Sequence, residues 1–172
     1  MVYSGLFACS GILYNYESLL RSPQFVTRKV SLAAASIKLG LADTLEMGNL
    51  DAKRDWGFAR DYVEAMWLML QIDEPKEYVI GTGKLHSVGD LVSTAFECVG
   101  LDWQHHVASN TNFLRLDEHF HLVANPSKAK TNLGWETQVS LEEILDKMAT
   151  VAKRCDRSSH KLSARIYPTQ QR

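Results

Sequence analysis

Residues 47–70 read MGNLDAKRDWGFARDYVEAMWLML and join a tight turn, a charged segment and an apolar helical pattern. Gly48 and Asn49 both tolerate the backbone angles of a turn. Beyond Gly57, apolar residues recur at the three- and four-residue spacing of a helix, which we expect to begin near Ala59. The arrangement predicts a helix that is entered from a polar loop.

This predicted helix is apolar around most of its circumference. Its apolar positions are Tyr62, Val63, Met66, Trp67, Met69 and Leu70. Because Asp61, Glu64 and Gln71 alone interrupt that surface, we expect the helix to be buried on most sides.

Arg54 lies in the polar loop that precedes the helix. A loop that enters a rigid, buried helix is a common way of holding a cation over an anionic ligand. The alternative is that Arg54 forms a surface ion pair with Asp55 or Asp51. Arginine donates bidentate, charge-assisted hydrogen bonds that suit a pyrophosphate. Further cations near predicted turns are Arg21, Lys29 and Arg115, and the sequence leaves open whether the four converge.

Composition describes an ordinary globular chain. It has 172 residues, 45% of them hydrophobic and 23% charged, with a net charge of -1. No apolar run reaches the roughly 18 to 20 residues of a membrane span, and no signal peptide opens the sequence. Three cysteines suit a reducing cytoplasm. These observations predict a soluble cytoplasmic protein with no membrane segment and no nucleic-acid partner.

Charge is uneven along the chain and suggests a boundary near residue 152. Residues 153–172 hold six basic residues and one acidic residue, a net charge of +5. Helical periodicity also fades after Cys155. We expect residues 1–152 to fold and residues 153–172 to form a basic, flexible tail.

The order of predicted elements is typical of an α/β protein with a parallel sheet. Strands are expected at residues 3–14, 44–47 and 78–80, and residues 103–107 are a fourth candidate. Helices are expected at residues 25–39 and from Ala59, Ser87, Asn125 and Ser140, and residues 15–23 are expected to form a loop. The first strand is so apolar that we expect it to be buried between neighbours.

Two motifs resemble binding sites without meeting their requirements. Gly81-Thr-Gly83 lies between a strand and a helix, but the third glycine of a dinucleotide turn would fall on His86. A structural turn followed by a helix cap at Ser87 is the favoured interpretation. His119 and His121 would share one face of a strand, yet no third ligand is evident, so no metal site is predicted. No catalytic triad is recognisable by spacing.

Several segments together resemble the GDP-mannose 4,6-dehydratases, which are extended short-chain dehydrogenases with a Rossmann-type fold. The segments are FACSGILYNYES at residues 7–18, FVTRKV at 25–30, LDAKRDWG at 50–57, DYVEAMWLMLQ at 61–71, TGKLHSV at 82–88, RLDE at 115–118 and KAKTNLGW at 128–135. The resemblance implies that residues 1–152 are the C-terminal, nucleotide-sugar-binding portion of an NAD(P)-dependent epimerase or dehydratase.

The resemblance also implies roles for individual residues. Those implied to contact the GDP-sugar are Asn15, Lys29 near the guanine, Arg54 on the diphosphate, and Arg115 and Glu118 on the nucleotide and its ribose. Tyr16 and Arg21 would approach NADP. The chain departs from the family pattern where Tyr16 replaces a histidine and Leu20 an arginine, and RLDE lacks the proline of the family's segment.

The family's glycine-rich cofactor turn and its Tyr-x-x-x-Lys pair have no counterpart in this sequence. No catalytic residue is therefore assigned, and the chain is expected to lack the N-terminal cofactor-binding half. It would be a truncated gene product, an engineered truncation or one half of a split enzyme.

Three hypotheses follow. The first is the GDP-mannose-binding part of an NADP-dependent dehydratase, inactive until a cofactor-binding half completes it. The second is a module that binds a GDP-sugar without turnover. The third is an interaction remnant that self-associates as a homo-oligomer through its first strand.

Overall fold

The structure, a computed structural model, describes residues 5–113 and 121–158. In chain order its strands and helices are β1 (Ser10–Leu13), β2 (Asn15–Glu17), α1 (Val26–Lys38), β3 (Leu45–Met47), β4 (Lys53–Arg54), β5 (Trp56–Phe58), α2 (Ala59–Met69), β6 (Glu77–Ile80), β7 (His86–Ser87), α3 (Val88–Glu97), β8 (Val107–Ser109), α4 (Ser127–Leu133) and α5 (Leu141–Ser158). Single-turn 3-10 helices lie at Trp103–His105 and Thr111–Phe113. No helix in these ranges is long and apolar enough to cross a membrane.

The chain divides into two compact units. Unit 1 comprises the described part of Met1–Glu17 together with Lys53–His86 and His121–Ser140. Unit 2 comprises Ser18–Ala52 and the described parts of Ser87–Phe120 and Leu141–Arg172.

Unit 1 is built on parallel strand pairs. β1 pairs with β6 from Ser10↔Glu77 to Leu13↔Ile80, and β2 pairs with β5. Helices α2 and α4 pack on these strands and on each other. The buried cluster between them consists of Tyr62, Ala65, Met69, Tyr78, Ile80, Ala129 and Trp135.

Unit 2 is a helical layer with one parallel pair, β3 and β8. Helix α1 packs against both α3 and α5, and it is almost wholly buried. Close packing is possible because Ala33, Ala34 and Ala35 present no bulk beyond Cβ, and Ala35 joins Leu32 and Ala152 in one buried cluster.

Most predicted element positions are confirmed. Helix α1 ends before Gly40, whose φ of 71° requires a residue that tolerates the left-handed region. Ser87 caps α3 as expected, and Asp90 completes a capping box. Asn125 accepts a hydrogen bond from the Ser127 amide at the start of α4. Helix α5 continues to Ser158, inside the segment predicted as a tail, whose remaining residues lie outside the described ranges.

Four structural expectations are wrong. The first strand is not buried: Ile12 is 55% exposed, because β6 is its sole partner among the described strands. Residues 15–17 form β2 within the expected loop. Residues 103–105 form a 3-10 helix in place of a strand. Helix α2 is buried on one face only, because the short strands and α4 offer too little surface to cover the rest.

Replacing Ala35 by Leu is expected to destabilise the protein by about 1–3 kcal/mol, because the added atoms must fit where α1 meets Ala152 of α5. Urea unfolding measures the effect. Ala108→Leu on exposed β8 is the matched control, with an expected change within about 0.5 kcal/mol. Equal effects of the two substitutions would contradict the proposed tight packing of α1.

Candidate functional site

The Asp55 carboxylate organises the segment that carries Arg54. Asp55 is 1% exposed and accepts four hydrogen bonds within unit 1. Its Oδ1 accepts from the Thr82 amide at 2.9 Å and the Thr82 hydroxyl at 2.6 Å. Its Oδ2 accepts from the Gly83 amide at 2.9 Å and the Ala124 amide at 3.2 Å. These bonds fix β4 and β5 to the turn after β6 and to the chain before α4.

The same bonds account for the Gly81-Thr-Gly83 motif. The amides of Thr82 and Gly83, which a dinucleotide-binding turn would point at phosphate, already donate to Asp55. Gly81 is required by space, because a Cβ there would overlap the Cβ of Ala124. The structural interpretation of this turn is confirmed.

A buried aromatic group packs beneath β5. A Cβ on Gly57 would lie 2.5 Å from Cε2 of Tyr62, so the ring sits directly on the Gly57 backbone. The Tyr62 hydroxyl donates to the Asn15 carbonyl at 3.4 Å, and its ring contacts Tyr16 at 5.4 Å between centroids. Burial, and then the charges of Asp55, Asp61 and Glu17, raise the pKa of Tyr62 far above its usual value. Its hydroxyl therefore stays protonated at physiological pH and serves packing.

Asp61 forms a second carboxylate anchor in unit 1. Its Oδ2 accepts from the amides of Gln138 at 2.8 Å and Val139 at 3.2 Å. Its carbonyl accepts from the Trp135 indole at 2.8 Å. The sequence analysis missed both Asp55 and Asp61 as anchors. The sequence feature that could have revealed them is an acidic residue whose neighbours in the chain are expected to be buried.

Unit 1 carries three of the predicted site residues. In the β2–β5 pair, Asn15 lies opposite Trp56, two positions beyond Arg54, and Tyr16 lies opposite Gly57. The Arg54 side chain is half-buried, and one of its terminal nitrogens donates to the Lys53 carbonyl at 2.7 Å. The Arg54 guanidinium is thus carried on β4, and the Asn15 amide and the Tyr16 ring are carried on β2, the partner of β5.

Unit 2 carries Arg21 and Lys29 around the start of α1. The Arg21 guanidinium lies 3.5 Å above the Phe25 ring. The Lys29 ammonium donates to the Glu46 carbonyl at 2.7 Å and lies 4.4 Å from the centre of the Phe113 ring. Burial lowers the pKa of Lys29, and the charge of Glu46 partly opposes that shift.

Two predicted substrate contacts, Arg115 and Glu118, lie outside the described residues, as does His119. Within the described ranges, no group of three histidine, cysteine or acidic side chains is arranged to hold a metal ion.

Comparison with known proteins gives a consistent family relationship. The family model for GDP-mannose 4,6 dehydratase matches residues 3–148. GDP-mannose 4,6 dehydratase 1 of Arabidopsis thaliana is 47% identical over 144 residues, covering 84% of this chain and 40% of the relative. The Homo sapiens GDP-mannose 4,6 dehydratase is 43% identical over 160 residues, covering 83% of this chain and 43% of the relative. The chain therefore spans about two fifths of these relatives.

Solved structures show the same fold at low sequence identity. RMD from Pseudomonas aeruginosa, complexed with NADPH, has a TM-score of 0.80 and 18% identity, covering 88% of this chain and 50% of that one. The dTDP-glucose 4,6-dehydratase of Bacillus anthracis, in complex with NAD, has a TM-score of 0.68 and 16% identity, with coverages of 89% and 46%. The predicted α/β fold of the extended short-chain dehydrogenase type is confirmed.

Asp55→Asn is expected to destabilise the protein by about 2 kcal/mol or more, because the amide group would present a donor to amides that now donate to a carboxylate. Asp51→Asn, an exposed change on the same loop, is expected to have little effect. Urea unfolding compares the two variants. An Asp55→Asn variant as stable as the control would contradict the anchoring role.

Glu46→Gln is expected to lower the pKa of Lys29 further, because the carboxylate charge now raises that pKa against the effect of burial. The NMR signal of carbon-13-labelled lysine, followed with pH, reports the value, and Glu97→Gln in α3 is the control. The folded state loses the Lys29 proton at a lower pH than the unfolded chain does. The free energy of unfolding is therefore expected to rise with pH between the lowered folded-state pKa and the unfolded value. A Lys29 pKa that rises in Glu46→Gln would contradict the assignment.

Proposed function

The chain belongs to the GDP-mannose 4,6-dehydratase family, and we propose that it supplies the GDP-sugar-binding part of such an enzyme. The observation that carries this proposal is the fixed position of Arg54 beside the Asp55 anchor. The family match includes this segment together with residues 15–38, which contain the other described candidates Asn15, Tyr16, Arg21 and Lys29.

Arg54 is proposed to hold the diphosphate. A planar guanidinium donates two parallel hydrogen bonds to phosphate oxygens, and each gains strength from the opposite charges. Asp55 and the buried Trp56 hold the backbone at this point, so little backbone freedom remains to be lost when the ligand binds. That preorganisation favours affinity for a diphosphate over a bare nucleoside.

The other candidate residues are assigned to the remaining parts of the ligand. Asn15, on the strand beside β5, is proposed to bind the hexose. Lys29, held near the Phe113 ring, is proposed to bind the guanine, whose carbonyl oxygen accepts from an ammonium. Arg115 and Glu118 are proposed to contact the nucleotide and its ribose.

NADP would supply hydride transfer, accepting a hydride from C4 of the sugar and returning it to C6 after water is lost across C5 and C6. The described residues fit only the edge of such a cofactor site. Tyr16 and Arg21 are proposed to approach it, whereas the Thr82 and Gly83 amides already donate to Asp55. Most of the cofactor contacts are therefore assigned to residues outside the described ranges.

No side chain of this polypeptide is proposed as the catalytic base. The Tyr62 hydroxyl lies 3.4 Å from the Asn15 carbonyl, but its raised pKa and its buried packing make it unsuited to accept a proton. The chain is accordingly proposed to bind its ligand alone and to turn it over only when a cofactor-binding half completes the site.

A non-catalytic GDP-sugar-binding module is the second candidate. The exposure of β1 and of one face of α2, described above, suits a chain that associates with another polypeptide. Formation of a 4-keto-6-deoxy sugar with NADP, after a cofactor-binding half is added, distinguishes the dehydratase from the module.

Arg54→Ala is expected to weaken GDP binding by about 10- to 100-fold, since it removes charge-assisted hydrogen bonds worth roughly 1.5–3 kcal/mol. Isothermal titration calorimetry with GDP measures the change. Arg60→Ala, an exposed arginine in the first turn of α2, is the matched control and should bind as the unmodified chain does. Equal GDP affinity in both variants would exclude Arg54 from the diphosphate site.

A further inference from the structure

The Lys29 ammonium is held by two other residues of unit 2. It donates to the Glu46 carbonyl at 2.7 Å and lies 4.4 Å from the centre of the Phe113 ring. An ammonium has three donor hydrogens, of which the bond to Glu46 uses one. The direction of the other two depends on where Glu46 and Phe113 lie, and therefore on whatever fixes those two residues.

Asn110 connects the segments that carry Glu46 and Phe113. Its Nδ2 donates to Oε2 of Glu46 at 2.9 Å, and its Oδ1 accepts from the Asn112 amide at 2.9 Å. Its backbone amide donates to the Met47 carbonyl at 2.8 Å, and its carbonyl accepts from the Phe113 amide at 3.1 Å. Asn110 thus joins the end of β3 to the 3-10 turn that follows β8.

The two side-chain hydrogen bonds of Asn110 require an amide group. Any residue at this position could make the two backbone bonds. The side chain adds a donor for the Glu46 carboxylate and an acceptor for the Asn112 amide, and an amide group supplies both. Alanine would supply neither, and aspartate would place a second negative charge beside Glu46. The side chain therefore does more than end β8.

Phe113 lies directly against the chain that leaves β3. A Cβ on Gly48 would lie 2.5 Å from the Phe113 carbonyl oxygen, so a glycine is needed for this close approach. The Phe113 side chain is 50% exposed, and a ring face attracts a nearby cation such as the Lys29 ammonium. A shift of the 3-10 turn would therefore move one of the two groups that hold Lys29.

Glu46 also acts on Lys29 through its charge. Burial lowers the pKa of Lys29, and the Glu46 carboxylate partly opposes that shift. The hydrogen bond from Asn110 holds this carboxylate in place, which favours the charged, donating form of Lys29.

We propose that Asn110 is a positioning residue for base selectivity, which fixes Glu46 and Phe113 so that the Lys29 ammonium donates to the 6-oxo group of a purine. This inference rests on the proposed function and adds to it the residue through which a 6-oxopurine is preferred. Guanine and hypoxanthine carry an acceptor oxygen at C6, whereas adenine carries an amino group that offers the ammonium no acceptor. A correctly held Lys29 therefore favours GDP over ADP.

Isothermal titration calorimetry of the full chain with GDP, IDP and ADP tests the inference. The three ligands share the ribose diphosphate, so ADP reports binding without a 6-oxo group and IDP reports the 6-oxo group without the 2-amino group. Asn110→Ala is expected to weaken GDP and IDP binding about tenfold and ADP binding less than about twofold. Asn112→Ala, at an exposed asparagine of the adjacent turn, is the matched control and should bind like the unmodified chain. Circular dichroism checks that the variants fold.

An exchange of donor and acceptor tests the hydrogen bond itself. Asn110→Asp places two carboxylates side by side and is expected to weaken GDP binding at least about tenfold. Adding Glu46→Gln supplies an amide that donates to the new carboxylate, so the double variant should bind GDP within about threefold of the unmodified chain. Glu97→Gln, at an exposed residue of α3, makes the same charge change and should not restore binding to Asn110→Asp.

The inference is overturned if Asn110→Ala leaves GDP affinity unchanged or weakens GDP and ADP equally, since equal losses indicate general structural support. It is also overturned if IDP responds like ADP, or if Glu46→Gln fails to restore binding to Asn110→Asp.

Arg54→Ala separates this inference from the proposed function, because loss of a diphosphate contact should weaken GDP and ADP alike. If it does so while Asn110→Ala weakens neither, the inference alone is refuted. If Asn110→Ala weakens GDP selectively and Arg54→Ala has no effect, the diphosphate role of Arg54 alone is refuted. A chain that binds none of the three nucleotides refutes both.

Discussion

One buried carboxylate anchors the segment of unit 1 that carries Arg54. Asp55 accepts hydrogen bonds from three amides and one hydroxyl, contributed by the turn after β6 and by the chain before α4. A buried charge is tolerated only when its hydrogen-bonding capacity is met, and here each oxygen accepts two bonds. The strand that carries Arg54 is consequently fixed by residues distant in sequence. An arginine on an unanchored loop would lose far more conformational entropy on binding.

The same anchor explains why the glycine-rich turn is structural. Phosphate-binding turns work because their amides are available to an anion. At Thr82 and Gly83 the anion is supplied by the protein itself, as the Asp55 side chain. The segment thus resembles an anion-binding turn in sequence and uses the same physical interaction, with a carboxylate of the same unit in the place of a ligand.

Local rules predicted those parts of the fold that local interactions determine. Helix α1 was predicted from its periodicity and Gly40, and the start of α3 from the cap at Ser87. Burial was predicted poorly where it depends on partners. The apolar patterns of β1 and α2 indicated burial, but a sequence pattern cannot specify whether the covering layer belongs to the same described chain. Ile12 and Trp67 are exposed because the described residues do not cover them.

For the candidate site, a family resemblance proposes Arg54 and Lys29; the family itself is confirmed, and the roles of these two residues stay predictions. It could not identify Asp55 as the anchor, because its partners lie 27 to 69 residues away. The most direct measurement of the central claim is a crystal structure of the chain with GDP. The account predicts diphosphate oxygens at about 2.7–3.2 Å from the Arg54 guanidinium, with the Asp55 hydrogen bonds retained. GDP bound away from Arg54 would contradict it.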